Sequence, residues 1–174
     1  AVGVAAPVRT ETIPFRVAAS SLNEVPALPA PNSTANVTVL MHLSRNAAGD
    51  VVGGAVDFRV RYRLGQEMDI TMMHIHRGPA GVAGPVVIDS GLPGTVEKAQ
   101  NGELITQGVL TRSAETTELI KEILANPAGF YFNMHSSRAP GGEIRGQLMP
   151  ADEIVLMGLM SPANEVPPIP GLEA

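Results

Sequence analysis

Apolar and polar positions alternate with a period of two along much of this chain. From Val51 to Leu64, the residues Val52, Gly54, Val56, Phe58, Val60, Tyr62 and Leu64 alternate with Val51, Gly53, Ala55, Asp57, Arg59, Arg61 and Arg63. That pattern predicts a strand with one face in a core and the other in water. Just upstream, Val37, Val39, Met41 and Leu43 alternate with Thr38, Leu40, His42 and Ser44, and Asn46 to Asp50 supplies turn chemistry between the two runs. A β-hairpin is expected there. Further strands are expected over 69–76, 103–111, 129–135 and 143–149, and the short apolar run Val86 to Ile88 reads as an edge or connecting strand. One segment, 113–126, breaks the pattern. Ser113 can cap a first turn that carries Glu115, an apolar stripe of Leu119, Ile120, Ile123 and Leu124 follows, and Pro127 and Gly129 end it. A single inserted helix packed on the sheet is expected. With the two repeats described next, the strands number about eight, which suits a sandwich or a small barrel.

The stretch Ile13 to Pro29, IPFRVAASSLNEVPALP, recurs without a gap as Ile154 to Pro170, IVLMGLMSPANEVPPIP. Both copies hold the string Asn-Glu-Val-Pro, as Asn23 to Pro26 and Asn164 to Pro167. A compact domain has one place for a given strand. The second copy therefore takes a symmetric position, begins another domain, or serves a neighbouring molecule. The organisation expected is an N-terminal tail over 1–12, a β-domain over 13–150 and a C-terminal strand and tail over 151–174.

Composition narrows the class. The chain has 174 residues, 44% hydrophobic and 17% charged, with 18 Gly and 15 Pro, which fits one turn-rich folded domain and not a disordered chain. A net charge of −5 without a basic run excludes the electrostatic footprint of a nucleic-acid binder. The absence of cysteine removes disulfides, thiolate metal sites and thiol nucleophiles together. No apolar run is long enough for a membrane span. A first residue of Ala1 is expected of an exported protein whose signal peptide has been removed.

Four motifs then follow in order: Asn23-Glu-Val-Pro26; His74-Ile-His76 with Gly78-Pro-Ala-Gly81 and Gly84-Pro-Val86; Asn133-Met-His135; and Pro140-Gly-Gly-Glu-Ile-Arg-Gly-Gln-Leu148. Together they resemble the CHRD (chordin-type) domain over roughly residues 13–149, in its bacterial secreted form. That resemblance implies an extracellular, immunoglobulin-like, Greek-key antiparallel β-sandwich in a family without an established enzymatic activity.

The motifs also carry candidate chemistry. On an extended strand His74 and His76 project from one face about 7 Å apart; if His135 lies on the neighbouring strand, a three-histidine site for copper or zinc results. Met72 shares that face and offers a soft ligand for Cu(I). The alternative is that the imidazoles hydrogen-bond to the backbone of the Gly78 to Gly84 loop and pin the end of the domain. His42 reads as incidental. Glu24, Glu143 and Arg145 are expected to form a structural ion pair locking the first strand's loop to the last strand, since a guanidinium suits a bidentate carboxylate. Glu165 offers the same handle in the second copy. Neither a Ser-His-Asp order nor a phosphate loop appears, so no catalytic residue is assigned.

Two functions follow from these features. In the first, a secreted, non-catalytic structural protein polymerises head to tail, adding a terminal strand to the next subunit. Ile154, Leu156, Met157, Met160, Asn164, Glu165, Val166 and Pro167 form the assembly segment, and the product is a filament or a layer associated with the cell surface. In the second, a monomeric extracellular module binds copper or zinc through His74, His76 and His135.

Overall fold

The computed structural model describes residues 9–30, 32–111 and 113–151. The assembly segment from Ile154 to Pro167 lies outside the described residues.

Eight strands and one α-helix form the domain: β1 (Arg9–Ser20), β2 (Thr34–Arg45), β3 (Val51–Arg77), β4 (Val86–Asp89), β5 (Val96–Leu110), α1 (Ala114–Ala125), β6 (Phe130–Ser136), β7 (Ile144–Gln147) and β8 (Met149–Pro150). All strand pairings are antiparallel. The all-β class with one inserted helix is as expected, and α1 is capped by Ser113, whose hydroxyl accepts from the Thr116 backbone N–H.

Two expected strands, 51–64 and 69–76, are one continuous strand of 27 residues. The polar residues Gly65 to Glu67 look like a break in the sequence. In the structure the chain runs straight through them, and the irregularity is absorbed as a register shift against β5 between Arg63 and Met68. This length decides the topology. The first half of β3 pairs with β2 and β5, and its second half pairs with β6 and β4. Hydrogen bonding runs β2–β1–β7–β6–β3, and β3 returns to β2, so that five strands close a circuit. A sandwich keeps two sheets apart; here the long strand joins them into a closed barrel-like core. Closure removes sheet edges that would otherwise stay unpaired.

The inside of the circuit is apolar. Val37, Val39, Met41 and Leu43 of β2 face Val56, Phe58 and Val60 of β3, all at most 2% exposed, as their alternation predicts. Phe58 lies against Phe132 of β6 with ring centroids 6.4 Å apart, and Ile120 and Ile123 of α1 close one side.

A second register shift, between Ile70 and Met72 against β6, has the larger functional effect. Up to Ile70 the even-numbered residues of this part of β3 point inward; beyond it Met73 and Ile75 take the core positions. The bulge thereby turns Met72, His74 and His76 onto the outer face. Bulges commonly re-aim side chains in this way beside functional sites.

Candidate metal centre

On the outer face of the barrel, β3 and β6 bring His74 opposite Asn133, His76 opposite Tyr131 and Met72 opposite His135. Asp89 of β4 stands opposite His74 on the other side, while Arg145 and Gln147 of β7 stand opposite Asn133 and Tyr131. The four sequence motifs therefore meet in one layer. Although it lies outside the core, this layer is shut off from water: His74, His76, Asn133, His135 and Arg145 are all at most 8% exposed.

Two loops form its roof. The first, from Gly78 to Pro85, is tied down through its backbone. Arg145 donates from Nη2 to the carbonyls of Pro79 (2.8 Å) and Val82 (2.9 Å), and Gln147 donates from Nε2 to that of Gly78 (3.0 Å). Glycine is required at Gly84 because a Cβ there would strike the carbonyl oxygen of Arg77. The second loop, 137–143, is held by Glu143, which is fully buried and accepts from Ser33 Oγ (2.6 Å), Ser136 Oγ (3.0 Å) and the Arg138 guanidinium (2.6 and 3.2 Å).

The expected ion pair is thus corrected. Among the described residues neither Glu24 nor Glu143 forms an ion pair with Arg145. Glu143 takes Arg138, five residues away in its own loop, and Arg145 spends its donors on carbonyls while its guanidinium lies 3.5 Å from the Tyr131 ring centroid. Outward-facing on a short strand, Arg145 meets the glycine loop above it and not a carboxylate. The NEVP loop does dock on β7, as expected, but through Asn23, which donates to the Arg145 carbonyl at 3.0 Å. Glu24 is buried and accepts from the Asn133 amide at 3.4 Å, and its Oε1 has no partner. Burial pushes its carboxyl up to about 7, with the Asn133 hydrogen bond and Arg145 only partly opposing.

His74, His76 and His135 converge, offering ring nitrogens all within 4.8 Å of one another. The hydrogen bonds of each ring decide which nitrogen is offered. His76 Nδ1 is 2.9 Å from the Gly84 carbonyl and His135 Nδ1 is 2.9 Å from the Pro140 carbonyl. A carbonyl only accepts, so both Nδ1 atoms carry the proton and both Nε2 atoms are left with a lone pair. His74 Nε2 lies 3.3 Å from Asp89 Oδ2, which again accepts, leaving Nδ1 as the free nitrogen. His74 Nδ1 and His135 Nε2 then face each other at 3.2 Å, and His76 Nε2 is buried without a partner. Burial, with the neighbouring imidazoles, holds His74 and His76 below the usual histidine range, in the neutral form that ligates metal. The rings also pack on one another, and His76 stacks on Tyr131 with centroids 4.9 Å apart.

Hydrogen bonding to the glycine loop and presentation of a free nitrogen are therefore not alternatives: His76 does both, one with each nitrogen. His42 stands apart, between Thr12 and Asp57 on the wet face of the hairpin. Asp89, Tyr131 and Arg138 were not singled out in the sequence, where each sits beside a motif but outside it.

Such a layer defines an all-β domain with a buried three-histidine cluster roofed by a glycine loop. The family model for the CHRD domain matches residues 15–148, and the chain belongs to that family. No curated protein and no solved structure matches it. Among the described residues no helix is long and apolar enough to cross a membrane.

Proposed function

We propose that this chain is an extracellular, non-catalytic module that holds one copper or zinc ion on His74, His76 and His135. The reading rests on one observation: each ring has one nitrogen set against an oxygen acceptor, while ring nitrogens of the three lie within 4.8 Å of one another, His74 Nδ1 facing His135 Nε2 at 3.2 Å and His76 Nε2 buried without a partner. With both rings neutral in these tautomers, two lone pairs oppose each other at 3.2 Å and repel, unless a ring takes up a proton and donates across the gap. A cation between them reverses the sign, and two nitrogens bound at about 2.0–2.1 Å in a tetrahedral site stand roughly 3.3 Å apart. Gly84, Pro140 and Asp89 supply the outer hydrogen bonds that fix tautomer and ring orientation in metal sites. Secretion agrees with membership of the CHRD family.

The test is isothermal titration of the full chain with Cu(II) and Zn(II), with circular dichroism confirming the fold of each variant. The expected result is one equivalent bound by the parent chain and none by His74→Ala or His76→Ala. No uptake by the parent chain at micromolar metal would remove the proposal.

A second reading, head-to-tail strand addition into a filament or surface layer, is favoured by β5. Among the described residues this strand pairs only with β3, and it exposes Ile105 (70%) and Val109 (75%) within the uncharged run Leu104 to Leu110. A free, apolar, uncharged edge is what strand addition needs, and the repeat segment Ile154 to Met160 is the apolar sequence that would be added there. Electron microscopy should find filaments of the full chain and single particles of a 1–150 truncation. Polymers formed by the truncated chain would exclude the terminal segment as donor.

A further inference from the structure

Met72 is one of two exposed methionines among the described residues, the other being Met149 in the last strand. Met41, Met73 and Met134 are core residues at most 1% exposed, which is the usual role of the side chain. Met72 is 44% exposed. The bulge after Ile70 turns it outward together with the histidines. It lies directly opposite His135 across the β3–β6 ladder, and it precedes His74 by two residues on the same face. Side chains directly opposite in an antiparallel pair have Cβ atoms about 5 Å apart, which is within reach of a flexible thioether. Met72 thus borders both histidines whose free nitrogens stand 3.2 Å apart, and it does so at the rim of the layer, where the histidines themselves are covered.

Asp89 also stands at the rim, and both its oxygens are engaged, Oδ1 accepting from the Gly91 backbone N–H at 2.7 Å. Its Oδ2 accepts from His74 Nε2, so it orients a ligand and is not free to become one. The soft donor is the one left to complete the set. Three imidazoles and a thioether select copper, and Cu(I) above all; zinc gains little from a thioether and takes water or a carboxylate instead.

Resting on the three-histidine reading above, we infer that the site is a copper site in which the Met72 thioether is the fourth ligand to Cu(I), joining His74, His76 and His135. The centre would then hold Cu(I) with four protein ligands and Zn(II) with three.

The experiment compares the parent chain with Met72→Leu, which keeps the size and apolar character of an exposed side chain and should leave the melting temperature unchanged. Cu(I) affinity is measured anaerobically by competition against a colorimetric Cu(I) chelator, and Zn(II) affinity by a parallel competition. X-ray absorption at the copper edge is recorded on the Cu(I)-loaded protein. Met72→Leu is expected to weaken Cu(I) by about tenfold or more while Zn(II) affinity stays the same, as befits loss of a soft ligand. One sulfur scatterer should be seen in the parent chain and none in the variant. Equal Cu(I) affinities with no sulfur scatterer in the parent would overturn the role of Met72 and leave the three-histidine site standing. If the parent chain bound neither metal, the underlying reading and this inference would fall together.

Discussion

The two faces of β6 are equally shut off from water and are built of opposite chemistry. Phe130, Phe132 and Met134 face the barrel interior, Tyr131, Asn133 and His135 face outward under the loops, and none of the six is more than 6% exposed. The inner face stabilises through area, at about 25 cal/mol per Å² of apolar surface, and rings and aliphatic chains of similar volume serve it almost interchangeably. The outer face has no such freedom, because each buried donor or acceptor needs a partner. Of the five buried side-chain polar atoms without one among the described residues, Glu24 Oε1, His76 Nε2 and Asn133 Oδ1 belong to this outer layer. Stability and binding are thus divided between two sides of one strand only a residue apart.

The largest effect should come from the inner face. Phe132→Ala removes a fully buried ring that packs on Phe58, and a loss of about 4 kcal/mol is expected in chemical denaturation. Metal bound per folded molecule should not change. If it fell in proportion to stability, the two faces would not be separable.

A smaller effect, visible only through pH, is expected from Glu24. Its carboxyl titrates at about 7 in the folded chain against an ordinary 4.5. Between those values the native state keeps a proton that the unfolded chain has released, so stability falls as pH rises through that window and the loss is complete above it. His74 and His76 act in the opposite sense: their depressed values remove stability as pH falls through 6.5 and below. With chelator present, Glu24→Gln should match the parent at pH 4 and exceed it at pH 8 by on the order of 2 kcal/mol. A variant no more stable than the parent at pH 8 would mean that Glu24 ionises normally.

How much of this could be read from the chain depends on the range of the interactions involved. The β2–β3 hairpin was legible because period-two alternation is local and one face is wet. The turn of His74 and His76 away from the core has a sequence trace too: apolar core positions pass from Met68 and Ile70 to Met73 and Ile75, an even-to-odd switch that announces a bulge. The convergence of His135 on those histidines needed β6 to neighbour β3, which alternation does not encode. Closure of the barrel was hidden for the same reason, since it rests on the unbroken length of β3 across Gly65 to Glu67. The pairing of Glu143 with Arg138 and not with Arg145 turned on which loop lies above which strand, and motif spacing is silent on that.

Asp89 gives the sharpest separation of the two faces, because it lies at the outermost limit of the polar layer. Its side chain is 72% exposed, so the carboxylate contributes little to folding, and Asp89→Asn should change stability by less than about 0.5 kcal/mol. The single amide oxygen can serve either the Gly91 backbone N–H, which Oδ1 accepts at 2.7 Å, or His74 Nε2, which Oδ2 faces at 3.3 Å, but not both, and it no longer carries the charge that makes the ring a better donor to metal. Loss of such an outer partner costs about 10-fold to 100-fold in metal affinity at established sites; the lower end is expected here because solvent screens the carboxylate. The measurement is Zn(II) competition titration alongside thermal denaturation of the same samples. A variant that bound zinc as tightly as the parent would show that His74 is oriented by the strand alone. One that lost stability along with affinity would show that the outer layer is part of the scaffold after all.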